Sequence, residues 1–205
     1  MILSPIEIDP LAMEPPLEWA RLFGNAHATE VEIGCGKGMF LHEVASRHGE
    51  TNFLGVERAG KYYRKAVRRL VRTELPNVRL LRADGMDVLQ RWITPRSIGA
   101  LYVLFPDPWP KKRHQKRRLF RPEFLVLAHR ALTPEGELRV ATDHPEYGRA
   151  IRELLGSHGH LFEERSWAAD APDRLPTHYA LKWQRQGRAL WWTRYRVAAE
   201  SAAQV

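Results

Sequence analysis

Asp107 and Trp109 stand in a Pro106-Asp107-Pro108-Trp109-Pro110 loop. An apolar run, Leu101–Phe105, precedes it, and a basic run, Lys111–Arg118, follows. Proline fixes φ and removes a backbone donor, so three prolines restrict how one carboxylate and one indole are presented. Proline also cannot continue a central ladder, so the apolar run reads as a buried strand stopped at Pro106. A carboxylate accepts two hydrogen bonds side by side, an aromatic plane stacks on a base, and Lys and Arg meet phosphates. Together, at the carboxyl end of a strand, they suit a flipped-out nucleobase and its backbone.

A second constellation lies upstream, in Val31-Glu32-Ile33-Gly34-Cys35-Gly36-Lys37-Gly38. Gly34, Gly36 and Gly38 allow a tight turn and a close approach of ligand to backbone. A dinucleotide site is the obvious rival. The spacing, however, lacks G-x-G-x-x-G, and Glu32 precedes the glycines, where it repels a pyrophosphate and attracts an ammonium. Glu57 ends the next apolar run and suits a ribose diol. Asp84 ends the one after and suits an adenine exocyclic amine. Each acid alone also reads as a helix cap or loop acid, Asp84 above all. Jointly, three acids at three successive strand ends fit S-adenosylmethionine, which carries an ammonium, a sulfonium, a diol and an adenine and no phosphate.

Alternating strand and helix patterns must hold these residues, which argues a mostly parallel α/β sheet. The pattern predicts strands at Thr29–Ile33, Asn52–Glu57, Val78–Arg82, Ile98–Phe105 and Gly136–Ala141, and two more at Leu161–Arg165 and Leu190–Val197. Helices are expected over Gly38–His48, Ala59–Arg72, Met86–Trp92, Pro122–Ala131 and Pro145–Gly156. In the second of these, Lys61, Arg64, Lys65, Arg68, Arg69 and Arg72 share one face, opposite Tyr63, Ala66, Val67 and Leu70. That face reads equally as a solvated surface and as a stripe facing phosphate.

With 205 residues, 44% of them hydrophobic, the chain suffices for one domain with a sizeable core. Residues 1–18 read as an N-terminal extension, and Ala198–Val205 as a frayed tail. One cysteine excludes a disulfide framework and a multi-cysteine metal site. His158-Gly159-His160 offers two imidazoles without the further ligands zinc needs, so no metal is expected. Neither a secretory signal nor an 18-residue apolar span is evident, so a cytoplasmic protein with no membrane partner is expected. The net charge of +8 is unevenly spread: residues 111–118 carry six Lys/Arg and residues 58–72 carry seven, with no acid in either, which leaves −5 elsewhere. Concentrated positive charge suits a polyanion.

GCGKG, GVE, RADG, LFPDPWPKKRHQKRRL and ATDHPEY, in this order and spacing, resemble the bacterial tRNA (guanine-N7-)-methyltransferase family. The resemblance runs from about Trp19 to Tyr147 and more thinly to Thr177. It implies a Rossmann-like class I methyltransferase with a seven-stranded, mostly parallel sheet and helices on both faces. It implies methyl transfer from S-adenosylmethionine to N7 of guanine 46 in the variable region of tRNA, by a monomer or homodimer. By the resemblance, Glu32, Glu57 and Asp84 hold the cofactor with Gly34 and Gly36, and Asp107 is catalytic. Asp107, Lys111, Asp143 and Thr177 lie near the substrate.

The basic run itself assigns Arg113, Lys116, Arg117 and Arg118 to RNA phosphates. Asp107 and Asp143 are equally suited to gripping the guanine edge. One departure stands out: Ala180 occupies the place of the glutamate in the family's Thr-x-x-Glu motif. Two other readings remain open. Asp107-Pro108-Trp109 loosely resembles the Asp/Asn-Pro-Pro-Tyr/Trp loop of amino-methyltransferases acting on adenine or cytosine, with Trp109 in place of the second proline. Ala180 also suits a non-catalytic RNA-binding protein on the same scaffold.

Overall fold

The computed structural model describes residues 4–169, 171, 174–175 and 177–199. Among these described residues, eight strands form one sheet: β1 (Glu7–Ile8), β2 (Ala28–Ile33), β3 (Thr51–Val56), β4 (Val78–Leu81), β5 (Ile98–Leu104), β6 (Leu132–Thr142), β7 (Phe162–Arg165) and β8 (Trp191–Val197). Their spatial order is β1-β4-β3-β2-β5-β6-β8-β7. The first six are parallel, and β8 is antiparallel to both of its neighbours. The expected α/β fold is present, with one strand beyond the seven. The extra strand is β1, from the segment read as an extension; Glu7 and Ile8 pair with Leu80 and Leu81. Two paired residues with little alternation give no sequence signal.

Period-two alternation sends neighbouring residues to opposite faces, which builds two cores. Leu54, Val56, Leu81 and Val103 face one, with α5 (Pro122–Ala131) and α6 (Pro145–Gly156). Phe53, Leu80, Tyr102 and Leu104 face the other, with α2 (Met39–Arg47) and α3 (Gly60–Val71). Helix α6 shows why these helices sit where they do. Pro145 opens it, the His144 ring accepts from the Tyr147 amide at 3.3 Å, and Tyr147, Ile151 and Leu155 are buried at a spacing of four.

Other boundaries moved for physical reasons. β5 stops at Leu104 because Phe105 turns to φ 57°, a left-handed conformation rare for an aromatic residue. β6 begins at Leu132, well before Gly136, because Leu132 pairs with Ile98 ahead of a shift in register. The predicted Met86–Trp92 helix is a short turn, α4 (Gly85–Asp87), continued by a π-helical turn over Val88–Trp92. Helix α1 (Trp19–Phe23) and helix α7 (His178–Gln184) were not foreseen. Ala198, placed in the frayed tail, donates its amide to the Leu161 carbonyl at 2.9 Å. The tail from Glu200 on lies outside the described residues.

Strand β2 lies between β3 and β5, and α2 and α5 leave the sheet on opposite faces. A crevice therefore opens at the carboxyl ends of β2 and β5, as at any such switch point. Gly55 lets α2 sit close to the sheet there. A Cβ on it would lie 2.3 Å from Leu41 Cδ1 and 2.7 Å from Leu80 Cδ2. Gly55→Ala is expected to cost about 1–3 kcal/mol through overpacking. The measurement is a urea midpoint that falls while the slope holds; an unchanged midpoint would mean that α2 retreats freely.

Candidate active site at the switch point

The glycine turn follows β2. Gly34, Gly36 and Gly38 take φ of 80°, 57° and 68°, the left-handed region. The Gly34 and Cys35 amides donate to the Val56 carbonyl at 2.8 and 3.0 Å, which ties the turn to β3. One Glu57 oxygen accepts from the Gly36 amide at 3.0 Å and the other from the Ala59 amide at 2.7 Å. Burial pushes the Glu57 carboxyl up; those two amides pull it down, as Arg58 does, while Asp107 adds to the rise. Each Glu57 oxygen keeps a further acceptor site for a hydroxyl.

Glu32 is buried, with 3% of its surface exposed, and its Oε2 has no hydrogen-bond partner among the described residues. Burial first, and then the neighbouring Glu57 carboxylate, pushes it up to about 8. It lines a small cavity of about 30 Å³ with Gly34, Gly36, Thr177 and Tyr179. Gly34, Gly36, Tyr62 and Tyr179 also line an open cleft of about 580 Å³. Glu57, Arg58, Asp84, Asp107, Trp109 and Arg117 complete that cleft. Its size suits a small molecule. Asp84 caps α4, accepting from the Met86 amide at 2.9 Å, and pairs with Arg58 at 3.3 Å. Asp84 is therefore a helix cap that also lines the cleft.

Asp107 is exposed in the cleft and has no hydrogen bond or ion pair among the described residues. Its loop is strained at both ends of the acid, with φ of 57° at Phe105 and 42° at Trp109. Trp109 is half-buried, with the Arg117 guanidinium over its ring at 5.0 Å and His114 edge-on at 5.9 Å. Lys111 precedes a 3₁₀ helix, Lys112–Arg117, on which Arg113, Lys116 and Arg117 are exposed.

Arg118 departs from its expected phosphate role. It is 8% exposed, donates to both Glu146 oxygens at 3.1 and 2.6 Å and to the Pro108 carbonyl at 2.8 Å, and lies over the Tyr147 ring. It pins the Pro-Asp-Pro-Trp-Pro loop to α6, with its guanidinium nitrogens engaged by Pro108 and Glu146 at the edge of the cleft. Its hydrogen bonds to Glu146, with the charge of the pair, hold that carboxyl below the usual range.

The other substrate residues separate. Asp143 is paired with Arg188 at 2.9 Å, and Arg188 stacks over Trp183 at 3.9 Å. Asp143 is not among the cleft-lining residues, so Asp107 is the acid that faces the cleft. Thr177 is buried; its hydroxyl accepts from the Ala180 amide at 2.9 Å, capping α7, and it shares the small cavity with Glu32. Ala180 is fully buried. Tyr62 and Tyr179, which both line the Glu32 cavity and hydrogen-bond to each other, carry no motif in the sequence. Their only sequence signal is polar aromatic character beside the motifs.

The donor set fits S-adenosylmethionine. A buried carboxylate oxygen without a partner calls for a cation, and the Gly34, Cys35, Gly36 and Gly38 amides of the glycine turn already donate to Val56, Glu57 and Cys35 rather than toward a pyrophosphate. Glu32 would hold the ammonium, Glu57 the ribose diol and Asp84 the adenine amine. The strand order, the glycine turn and the strand-end acids define a Rossmann-like class I methyltransferase. The chain belongs to the tRNA (guanine-N7-)-methyltransferase family. Residues 26–193 match the family described as “Putative methyltransferase”.

A tRNA (guanine-N(7)-)-methyltransferase of Geobacter metallireducens is 35% identical over 98% of this chain and 97% of that protein. One of Enterococcus faecalis is 34% identical over 91% of this chain and 86% of that protein. Among solved structures, the 16S rRNA methyltransferase KamB is similar with TM-score 0.62 and 15% identity, covering 88% of this chain and 92% of that one. A SAM-dependent methyltransferase from Aquifex aeolicus has TM-score 0.60 and 13% identity, covering 93% and 94%. At those identities the likeness is one of fold.

A carboxyl raised on folding costs stability as pH climbs from its unfolded value through its folded one, because the unfolded chain then binds fewer protons. For Glu32 that window runs from 4.5 to about 8. Glu32→Gln is therefore expected to raise the melting temperature of the ligand-free protein more at pH 8 than at pH 5, and to abolish S-adenosylmethionine binding by calorimetry. An equal effect at both pH values would remove Glu32 as the buried charge. Arg118→Ala is expected to lower stability by about 1–3 kcal/mol and to reduce turnover with cofactor binding retained. Arg118→Lys should not restore it, because an ammonium cannot bridge both Glu146 oxygens and the Pro108 carbonyl; full rescue by lysine would refute the clamp.

Proposed function

We propose that this chain methylates N7 of guanine 46 in the variable region of tRNA, with S-adenosylmethionine as donor, in a cytoplasmic setting. The observation that carries the reading is Asp107. It is a carboxylate left without a partner among the described residues, in the same cleft as Glu57 and Asp84, on a loop fixed by three prolines and Arg118. The names of the relatives at 34–36% identity support the base and the RNA class.

Bound in the cleft, S-adenosylmethionine supplies an electrophilic methyl on a sulfonium. Guanine N7 bears a lone pair and no proton, so the protein needs no general base. Its task is positioning, which is worth several kcal/mol when groups are held for in-line approach. Asp107 accepts from N1–H and the N2 amine of guanine, which present two donors side by side. The same negative charge favours the cationic base that N7 alkylation creates. Arg113, Lys116 and Arg117 hold phosphates beside the cleft, and Lys111 lies next to the target strand. Asp143, tied to Arg188, steadies the loop after β6 on the substrate side.

Unmodified tRNA incubated with methyl-labelled donor is expected to yield 7-methylguanosine at position 46. Methyl on an exocyclic amine, or none, would defeat the reading. Asp107→Ala is expected to lower kcat by at least about 100-fold, in the range of losing a group that acts on the transition state. Donor affinity should stay within about twofold of the parent protein, well under 1 kcal/mol. Full turnover in that variant would take Asp107 out of the mechanism.

A further inference from the structure

Helix α3 carries Lys61, Arg64, Lys65, Arg68 and Arg69, continued by its C-cap Arg72, on the face opposite its buried Tyr63, Ala66 and Leu70. All but the half-buried Lys65 are exposed. No acid occurs between residues 58 and 72. Lys61, Arg64, Lys65, Arg68 and Arg72 form no ion pair with any described residue; Arg58 takes Asp84, and Arg69 donates to the Lys37 carbonyl at 3.1 Å.

This arrangement works against the helix. Lys61–Lys65, Arg64–Arg68, Lys65–Arg69 and Arg68–Arg72 are like-charge pairs one turn apart, each destabilising by a few tenths of a kcal/mol. Lys61 also sits in the first turn, where the helix dipole disfavours a cation. A face serving only solvation is better made from mixed charges. The helix C-terminus and the Lys37 carbonyl compensate only Arg68 and Arg69; a local rule broken repeatedly beyond that, with no acid to offset it, marks a surface built for something outside the fold.

Position says what that is. Tyr62, in the first turn of α3, lines the cleft together with Asp107 and Arg117. The basic helix thus starts at one wall of the cleft, and the basic 3₁₀ turn, Lys112–Arg117, stands at the wall that carries the Pro-Asp-Pro-Trp-Pro loop. From Tyr62 the helix extends away from the reacting centre by about 15 Å, at 1.5 Å per residue. That is too far for a nucleotide seated in the cleft, but it matches a run of several phosphates.

We propose that the α3 stripe is a second RNA-binding surface, which docks the phosphate backbone of a segment of the folded RNA other than the strand carrying the target guanine. The proposal rests on the RNA reading above. It gives the enzyme a two-point grip: the 3₁₀ turn holds the target strand, and α3 holds a neighbouring arm, so that only a folded RNA engages both.

The test uses the full chain without donor, and the binding of an unmodified tRNA transcript followed by fluorescence anisotropy between about 50 and 200 mM salt. Arg64→Gln/Arg68→Gln/Arg72→Gln is expected to weaken tRNA binding by about 10–100-fold at the lower salt, and to flatten the log–log salt slope by about two to three. The triple Arg→Lys variant at the same positions should bind as the parent does. Because repulsion is relieved, the glutamine variant should melt at the parent temperature or above. Should it unfold, Arg68→Glu carries the same test, since it places an acid between Arg64 and Arg72 and supports the helix.

Unchanged affinity and slope in either variant would overturn the proposal, whether α3 then serves an acidic protein or only solvent. A short single-stranded RNA bearing the target guanine should bind the parent and the glutamine variant alike; an equal loss on that RNA would also overturn it, because the stripe would then hold the target strand. Methyl transfer is scored separately. Absence of transfer with the salt effect intact would sink the catalytic reading and spare this surface; transfer with no salt effect would do the reverse.

Discussion

The burial of Glu32 without a partner is the constraint on which the site turns. A carboxylate taken out of water is costly unless it is paired, and here the charge that acts on it is another carboxylate, Glu57. The fold holds both at the carboxyl ends of adjacent parallel strands and gives the amides of the glycine turn to Glu57, not to Glu32. What remains is a site that repels anions and is completed by a cation. A sulfonium amino acid nucleoside meets that condition and a dinucleotide does not.

Around that acid the site divides by charge. Acids gather at the carboxyl ends of three neighbouring strands, Glu32 near the end of β2, Glu57 just after β3 and Asp84 after β4. Cations gather on the 3₁₀ turn and along α3. Asp107 stands between the two sets. Without a partner among the described residues, it is available to a base, and its backbone is held by features that have nothing to do with charge. The left-handed turns at Phe105 and Trp109 set the direction of the loop, and Arg118 fastens it to α6. One arginine of the basic run is thus spent inside the protein so that the others face outward from a fixed loop.

The same division explains how the chain manages without an acid at Ala180. Helix α7 is located by the Thr177 cap at its start, the Tyr62–Tyr179 hydrogen bond near its first turn, and the Arg188–Asp143 pair beyond its end. These contacts hold α7 over the Glu32 cavity with no acid at position 180. The cost is that Asp143 is engaged with Arg188 and Thr177 looks toward the donor side. Of the two acids, Asp107 is the one left facing the cleft.

The sequence by itself determined the fold class, the strand-end positions of Glu32, Glu57 and Asp84, and the loop that carries Asp107. Each is a local property: alternation sets the strands, proline and glycine set the turns, and a strand end sets where its next side chain lies. Tertiary structure alone decided which of two acids faces the cleft, that Thr177 belongs with Glu32, and that Arg118 is a clamp. Arg118 meets Glu146 across 28 residues and Arg188 meets Asp143 across 45. In sequence Arg118 looks like its five neighbours in a basic run, because spacing records the type and periodicity of a side chain. The partner of a side chain depends on which helix the fold lays beside it, and no local pattern encodes that.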